Sequence, residues 1–185
     1  GVLETQNLIV IKRANKEQGD INLDGTLSSD CEMNIYTPSD LNIEGDLESR
    51  RIYFTISDSG NINLDRGSIS LKDDSDLWGG PSTISLNSDA GDIIIDGLVY
   101  GNSGGNISIM SETGAITIKE HGYVNNINSK IELISYGDKD IKVLGIPSQN
   151  LYGQVAADNG YLYIKPLGEG QFKLEGGVAG ASNVA

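Results

Sequence analysis

Residues 91–118 read GDIIIDGLVYGNSGGNISIMSETGAITI and repeat one short phrase, in which a turn residue precedes an apolar–any–apolar triplet. The phrase recurs along the chain, at Gly19, Gly60, Gly91, Gly105 and Gly114. Strict alternation over so few residues is typical of a short β-strand that buries one face. No apolar period of 3.6 residues persists along the chain, so the sequence predicts an all-β protein with almost no helix.

Apolar residues also recur at nearly equal distances. A first series, with steps of 20 to 24 residues, is Ile21, Leu41, Ile62, Ile84, Ile107 and Ile131. A second series, with steps of 17 to 25 residues, is Ile52, Ile69, Ile93, Ile116, Ile141 and Leu162. Two strand positions that recur at one period predict a parallel β-helix (β-solenoid) with coils of about 20–25 residues. We therefore expect Ile62, Ile84 and Ile107 to lie directly above one another.

Polar residues occupy the outward positions of the first series. Between its apolar pairs stand Asn22, Asn42, Asn63, Ser85, Ser108 and Glu132. Stacked coils would place these side chains in register, where Asn or Ser ladders can form hydrogen bonds along the axis. An antiparallel sandwich is the alternative, since it also uses short alternating strands. It does not predict the period, so the solenoid is favoured.

The chain is long enough for one domain with a substantial core. We expect a single solenoid over residues 1–175, with residues 1–18 as a candidate N-terminal cap and a lid strand at 8–11. Residues 176–185 are rich in glycine and predict a flexible tail.

The composition argues against two classes of partner. With 26 acidic and 13 basic residues, the net charge is −13, which would repel the phosphates of nucleic acids and anionic lipids. The longest apolar run, at 8–11, is too short to cross a bilayer, so membrane insertion is not expected. Cys31 is the single cysteine, which excludes an internal disulfide.

The stretch 91–118 resembles the repeats of filamentous-haemagglutinin-type adhesins, which are large secreted bacterial surface proteins with right-handed parallel β-helix shafts. This likeness extends over about residues 40–143. It implies a right-handed structural rod, secreted or displayed on the bacterial cell surface. A second resemblance, carried by residues 41–47 (LNIEGDL), is to bactofilins, which polymerise as β-helical filaments. That resemblance implies a cytoplasmic filament instead.

Two features that suggest catalysis have simpler interpretations. Residues 101–105 (GNSGG) are similar to the nucleophile segment of chymotrypsin-like proteases, but His121 is the only histidine and follows Ser103 in the chain. Gly, Asn and Ser are turn formers, so a turn is the favoured interpretation. Glu132, Lys142 and Lys173 occupy outward positions but are too scattered for an active site. We expect no enzymatic activity.

Other residues are candidates for binding. Asp73, Asp74 and Asp76 form the densest acidic cluster and are weak calcium candidates, without the ligand order of an EF-hand. No other cofactor is expected. Trp78 and the alternating pair Tyr161 and Tyr163 are interface candidates, because exposed aromatic side chains often mark contact surfaces.

Three functions remain open from the sequence. The first is a structural and adhesive rod that contacts a receptor or glycan on a host or neighbouring cell. The second is a self-assembling subunit that stacks end to end into a filament. The third is a carbohydrate-binding or polysaccharide-degrading β-helix protein.

Overall fold

The computed structural model describes residues 1–14, 19–72, 82–102, 104–175 and 177–184. Within these ranges the protein is all-β, apart from one 3-10 turn at Pro147–Gln149. The strands are β1 (Val2–Thr5), β2 (Ile9–Lys12), β3 (Ile21–Leu23), β4 (Thr26–Ser29), β5 (Glu32–Thr37), β6 (Leu41–Ile43), β7 (Asp46–Ser49), β8 (Arg51–Ile56), β9 (Ile62–Leu71), β10 (Thr83–Ser88), β11 (Ile93–Gly101), β12 (Asn106–Ser111), β13 (Ile116–Ile118), β14 (Tyr123–Ile127), β15 (Lys130–Ser135), β16 (Ile141–Ile146), β17 (Leu151–Tyr152), β18 (Gln154–Pro166), β19 (Phe172–Glu175) and β20 (Val178–Val184).

Three ladders of parallel strands run the length of the described chain. Ladder A is β1, β4, β7, β9, β11, β14, β18 and β20. Ladder B is β2, β5, β8, β10, β12, β15, β18 and the end of β20, where Asn183 pairs with Tyr161. Ladder C is β3, β6, β9, β11, β13, β16 and β19. Each of the strands β9, β11, β18 and β20 takes part in two ladders. Only the β16–β17 hairpin is antiparallel among the described strands.

This pairing confirms the predicted all-β, parallel, solenoid-like organisation, but it corrects the register. Each coil has three strands rather than two. Ile62 pairs with Ile93 on ladder C, whereas Ile84 pairs with Ile52 and Ile107 on ladder B. The prediction that Ile62 lies on Ile84 is therefore wrong, while the stacking of Ile84 on Ile107 is confirmed.

Insertions explain the error in register. Neighbours in successive coils are mostly 20 to 25 positions apart, as between Asn22 and Asn42 or between Asp96 and His121. Two regions of the chain have longer steps, such as the 31 positions from Asn61 to Asp92 and from Asp140 to Gln171. The second long step accommodates the β16–β17 hairpin, which leaves the coil and returns. A count that assumes equal spacing therefore assigns the residues after a long step to the wrong ladder.

The core consists of apolar columns, because each inward position is apolar in coil after coil. One column on ladder B is Ile9, Met33, Ile52, Ile84, Ile107, Ile131 and Leu162, all buried. The predicted outward ladder is confirmed for its first three residues: Asn42 Nδ2 donates to Asn22 Oδ1, and Asn63 Nδ2 donates to Asn42 Oδ1, at 2.8 Å in both cases. It is wrong beyond Asn63, which pairs with Ile94, whereas Ser85, Ser108 and Glu132 stack on one another in ladder B. The spacing at which apolar residues recur in the sequence is thus the number of residues in one coil of the structure.

Glycines stack at the corners between ladders, where the backbones of successive coils approach closely. A Cβ on Gly91 would lie 1.9 Å from the carbonyl oxygen of Gly60, and a Cβ on Gly114 would lie 2.0 Å from that of Gly91. A second column of this kind contains Gly45, whose Cβ would meet the carbonyl oxygen of Gly25 at 2.0 Å. Close approach of this type requires glycine. The corners account for much of the glycine content, 24 residues in the chain.

Buried serines join the glycine corner of one coil to the next. Ser111 Oγ donates to the Gly91 carbonyl at 3.0 Å and accepts from the Gly114 N–H at 2.9 Å. Ser88 repeats the arrangement between Gly60 and Gly91, at 3.1 and 3.0 Å. One hydroxyl therefore satisfies a buried carbonyl and a buried amide, neither of which can reach water.

We expect Ser111→Ala to lower the free energy of unfolding by about 1–3 kcal/mol, because the substitution deprives two buried backbone groups of a partner. Urea unfolding followed by circular dichroism measures the change. Ser108→Ala, on the outward side of the same strand, is the matched control and should stay within about 0.5 kcal/mol of the parent protein. Equal losses from the two substitutions would contradict this account of the corner.

A second side-chain column lies just before the strands of ladder C. Asp40 Oδ1 accepts from the Asn61 N–H at 2.8 Å, and Asn61 Oδ1 accepts from the Asp92 N–H at 2.7 Å. Asp92 Oδ1 then accepts from the Ala115 N–H at 2.8 Å. Each Asp or Asn side chain thus binds the backbone of the next coil, until Ala115 interrupts the column because it has no side-chain acceptor.

Restoring this column should stabilise the protein. We expect Ala115→Asn to raise the free energy of unfolding by about 0.5–1.5 kcal/mol, because its Oδ1 can accept from the backbone N–H of Asp140. Asn61→Ala, which removes an existing link, should produce a loss of similar size. Thermal melting of both variants tests the pair, and an unchanged midpoint for both would show that the column contributes nothing.

The terminal segments join the ladders. Residues 2–5 and 9–12, in the stretch predicted as a cap, form β1 and β2 and pair in parallel with β4 and β5. Residues 178–184, in the stretch predicted as a flexible tail, form β20 and pair with β18. No helix in the described ranges is long and apolar enough to cross a membrane.

Candidate binding surface

The outward side of ladder B carries a cluster of aromatic side chains in the last coils. Tyr161 and Tyr163 alternate with the buried Leu162 on β18, so both rings point away from the core. Tyr161 is 56% exposed, while Tyr163 is half-buried. Their orientation follows from strand alternation, as the sequence predicted.

A tight bend sets the start of this segment. Asn159 has a φ of 55°, and Gly160 lies so close to the previous coil that a Cβ there would meet the carbonyl oxygen of Ser129 at 1.8 Å. The bend carries β18 from ladder A to ladder B. It therefore fixes which residues of β18 face outward next to β15.

The neighbouring strand β15 supplies the second row of the surface. Lys130 pairs in register with Tyr161, Glu132 pairs with Tyr163, and Ile134 pairs with Lys165. The Lys130 ammonium forms a salt bridge with Glu132 Oε1 at 3.0 Å. The two rows form an open groove of about 480 Å³, here called the tyrosine groove.

Tyr136 and Leu167, just beyond the two strands, complete one end of the tyrosine groove. They are 51% and 42% exposed. Lys165 lies on the same side, with its ammonium 5.9 Å from the centroid of the Tyr163 ring. Among the described residues no carboxylate forms a salt bridge with Lys165. The groove thus combines the exposed rings of Tyr161 and Tyr136 with an ammonium group near the half-buried Tyr163 ring and the Lys130–Glu132 ion pair.

Sequence reasoning identified Tyr161 and Tyr163 but missed Tyr136 and Lys130 as their neighbours. The 31-residue step at the β16–β17 hairpin brings these residues together, and equal spacing could not predict it. Trp78 and the calcium candidates Asp73, Asp74 and Asp76 lie outside the described residues. So does Ser103, the serine of the 101–105 segment.

The outward residues considered for catalysis occupy two different faces. Glu132 lies in the tyrosine groove, whereas Lys142 and Lys173 stack in register on ladder C. Lys173 Nζ donates to Asp140 Oδ2 at 2.6 Å and thereby holds the pKa of Asp140 below its usual range. His121 lies elsewhere, with its Nδ1 3.1 Å from Asp96 Oδ1. The structure does not assemble these groups into one site.

Metal-ligand side chains are dispersed in the part of the chain that the structure describes. There, His, Cys, Asp and Glu form no group of three or more that could hold a metal ion. Cys31 is exposed and is not in a disulfide.

Comparison with models of protein families, with curated proteins and with solved structures finds no match to this chain.

Proposed function

We propose that this chain is the right-handed β-helical shaft of a secreted bacterial surface protein and acts as a structural and adhesive rod. The observation that supports this proposal best is the set of three continuous parallel ladders around an apolar core. The eight strands of ladder A are separated by seven steps, which at about 4.8 Å per step give a body about 34 Å long. The resemblance of residues 91–118 to filamentous-haemagglutinin-type repeats supports the handedness and the location.

The register of the coils supports the adhesive part of the proposal. Because outward side chains stack coil upon coil, the first coils of ladder C present a row of like groups, the column of Asn22, Asn42 and Asn63. Such rows suit repeated contacts with a receptor or glycan on a host or neighbouring cell. The proposed rod has no catalytic activity, no nucleic-acid partner and no inserted membrane segment.

Beads that carry the purified chain test the proposal. We expect them to retain intact bacterial or epithelial cells above the level of albumin-coated beads, and we expect an experimental structure to show right-handed coils. Retention no higher than that of albumin, for every cell type tried, would remove the adhesive role. Left-handed coils would remove the likeness to haemagglutinin-type shafts.

Exposed edges favour a self-assembling subunit as a second candidate. Val2 and Leu3 on β1 are 71% and 51% exposed, and Leu174 on β19 is 51% exposed. Unpaired strand edges with apolar side chains are templates for pairing with another chain. Stacking of one copy on the next would form a filament, extracellular or, as in bactofilins, cytoplasmic. Concentration-dependent growth in size-exclusion chromatography supports this candidate, and a constant monomer contradicts it.

A further inference from the structure

We propose that the tyrosine groove binds a neutral polysaccharide. This inference deepens the adhesive role proposed above and rests on it, because it assigns the contact to one face and one class of ligand. The tyrosine groove is outside the core, with Tyr161 and Tyr136 exposed and Tyr163 half-buried, so its rings are accessible without any change in the fold.

The aromatic side chains supply the stacking surface that a sugar ring requires. Tyr161 and Tyr163 lie two positions apart on one strand, about 6.6 Å along the strand direction. Tyr136 offers a third ring from the neighbouring coil. Tyrosine provides an apolar face and a hydroxyl at its tip, which suits a ligand whose rings have C–H faces and hydroxyl edges. The row of rings follows the strands, so an extended chain of sugars can contact several rings at once.

Polar groups beside the rings match the hydroxyl groups of a sugar. Lys165 is a donor, and Glu132 is an acceptor that Lys130 holds in place. Each sugar hydroxyl both donates and accepts a hydrogen bond, so a mixed set of this kind is complementary to it. Binding sites for small ligands generally combine apolar surface with a few placed polar groups in this way.

Charge favours a neutral ligand over charged ones. The protein as a whole carries −13, which repels an anionic polymer at long range. The net charge attracts a cationic ligand at long range, but inside the groove such a ligand meets the ammonium of Lys165, because the Glu132 carboxylate is already paired with Lys130. A second copy of the chain would bring a further −13 to the same surface. A neutral polymer encounters neither penalty.

Affinity electrophoresis in native gels tests this proposal. The gels contain dextran, galactomannan, xyloglucan or hydroxyethylcellulose as neutral probes, and polygalacturonate as the anionic probe. We expect at least one neutral polymer to retard the chain equally at low and high salt, since a neutral ligand leaves no charge attraction to screen. The double variant Tyr161→Ala, Tyr163→Ala should weaken this binding by about tenfold or more.

Tyr36→Ala is the matched control, because Tyr36 is also an exposed tyrosine on ladder B, 38% accessible, but lies on β5 far from the groove. It should bind like the parent protein, and circular dichroism at the assay temperature should show that all variants remain folded. The proposal is overturned if no neutral polymer retards the chain, if the double variant binds as well as Tyr36→Ala, or if only polygalacturonate binds and salt abolishes it. Cell retention on beads that persists in the double variant would leave the adhesive rod intact and reject only this groove as its contact.

Discussion

Gly114→Ala is expected to lower the free energy of unfolding by about 3 kcal/mol or more, because the added methyl group would meet the backbone of the preceding coil. The added Cβ would lie 2.0 Å from the carbonyl oxygen of Gly91 and 2.4 Å from its carbonyl carbon. These are backbone atoms, so the clash is relieved only if two coils separate. Separation would also break the hydrogen bond that Ser111 Oγ donates to the Gly91 carbonyl of the preceding coil. Urea unfolding followed by circular dichroism measures the loss.

Gly180→Ala provides the matched control, since a Cβ at Gly180 meets no atom within 4 Å. The same chemical change should there alter the free energy of unfolding by no more than about 0.5 kcal/mol. A large loss at both positions would mean that alanine disfavours these strands for a reason other than the close stacking of coils. Little loss at Gly114 would mean that the coils are not in contact at this corner.

Phe54→Ala is expected to cost about 3–5 kcal/mol, because it leaves a cavity in the middle of the apolar columns. Phe54 is fully buried and stacks between Ile35 of the preceding coil and Leu86 of the following coil. The strands of both neighbours are held by parallel pairing, so the surrounding side chains can fill only part of the cavity that the ring leaves. Differential scanning calorimetry of the variant measures the lost stability.

The other phenylalanine serves as the control for this prediction. Phe172 is 39% exposed on β19, so Phe172→Ala should cost about 1 kcal/mol or less. A loss at Phe54 no greater than at Phe172 would contradict a core built from continuous columns.

The period of the sequence was sufficient to predict the fold class, because a stacked coil must repeat its inward apolar residues. It also predicted the asparagine column, since Asn22, Asn42 and Asn63 share one phase of the repeat. The third ladder and the stacking of Ile62 on Ile93 could not be predicted by counting. An inserted segment can protrude from a coil without changing the strands on either side of it. The sequence does not show how many residues of a coil belong to such an insertion.

The same reason limits what the sequence reveals about the candidate site. Alternation alone placed Tyr161 and Tyr163 outward. Their neighbours Lys130 and Tyr136 depend on the register across the β16–β17 hairpin, which is a property of the folded backbone. Glycine and serine corners were also missed, although they decide how closely the coils stack. Their signal is a Ser-x-x-Gly spacing, as in Ser88 with Gly91 and Ser111 with Gly114.

Disulfide mapping tests most directly whether the chain winds with Ile62 beneath Ile93. In a Cys31→Ser background, Asn63→Cys with Ile94→Cys places two thiols on outward, directly paired positions of neighbouring strands. Parallel neighbours lie about 4.8 Å apart, within the Cα range of a disulfide. Mild oxidation of the folded protein should join the two thiols of this variant in a disulfide. In a second variant, Asn63→Cys with Ser85→Cys, both thiols should stay free. Bond formation in the second pair but not in the first would contradict the three-ladder register.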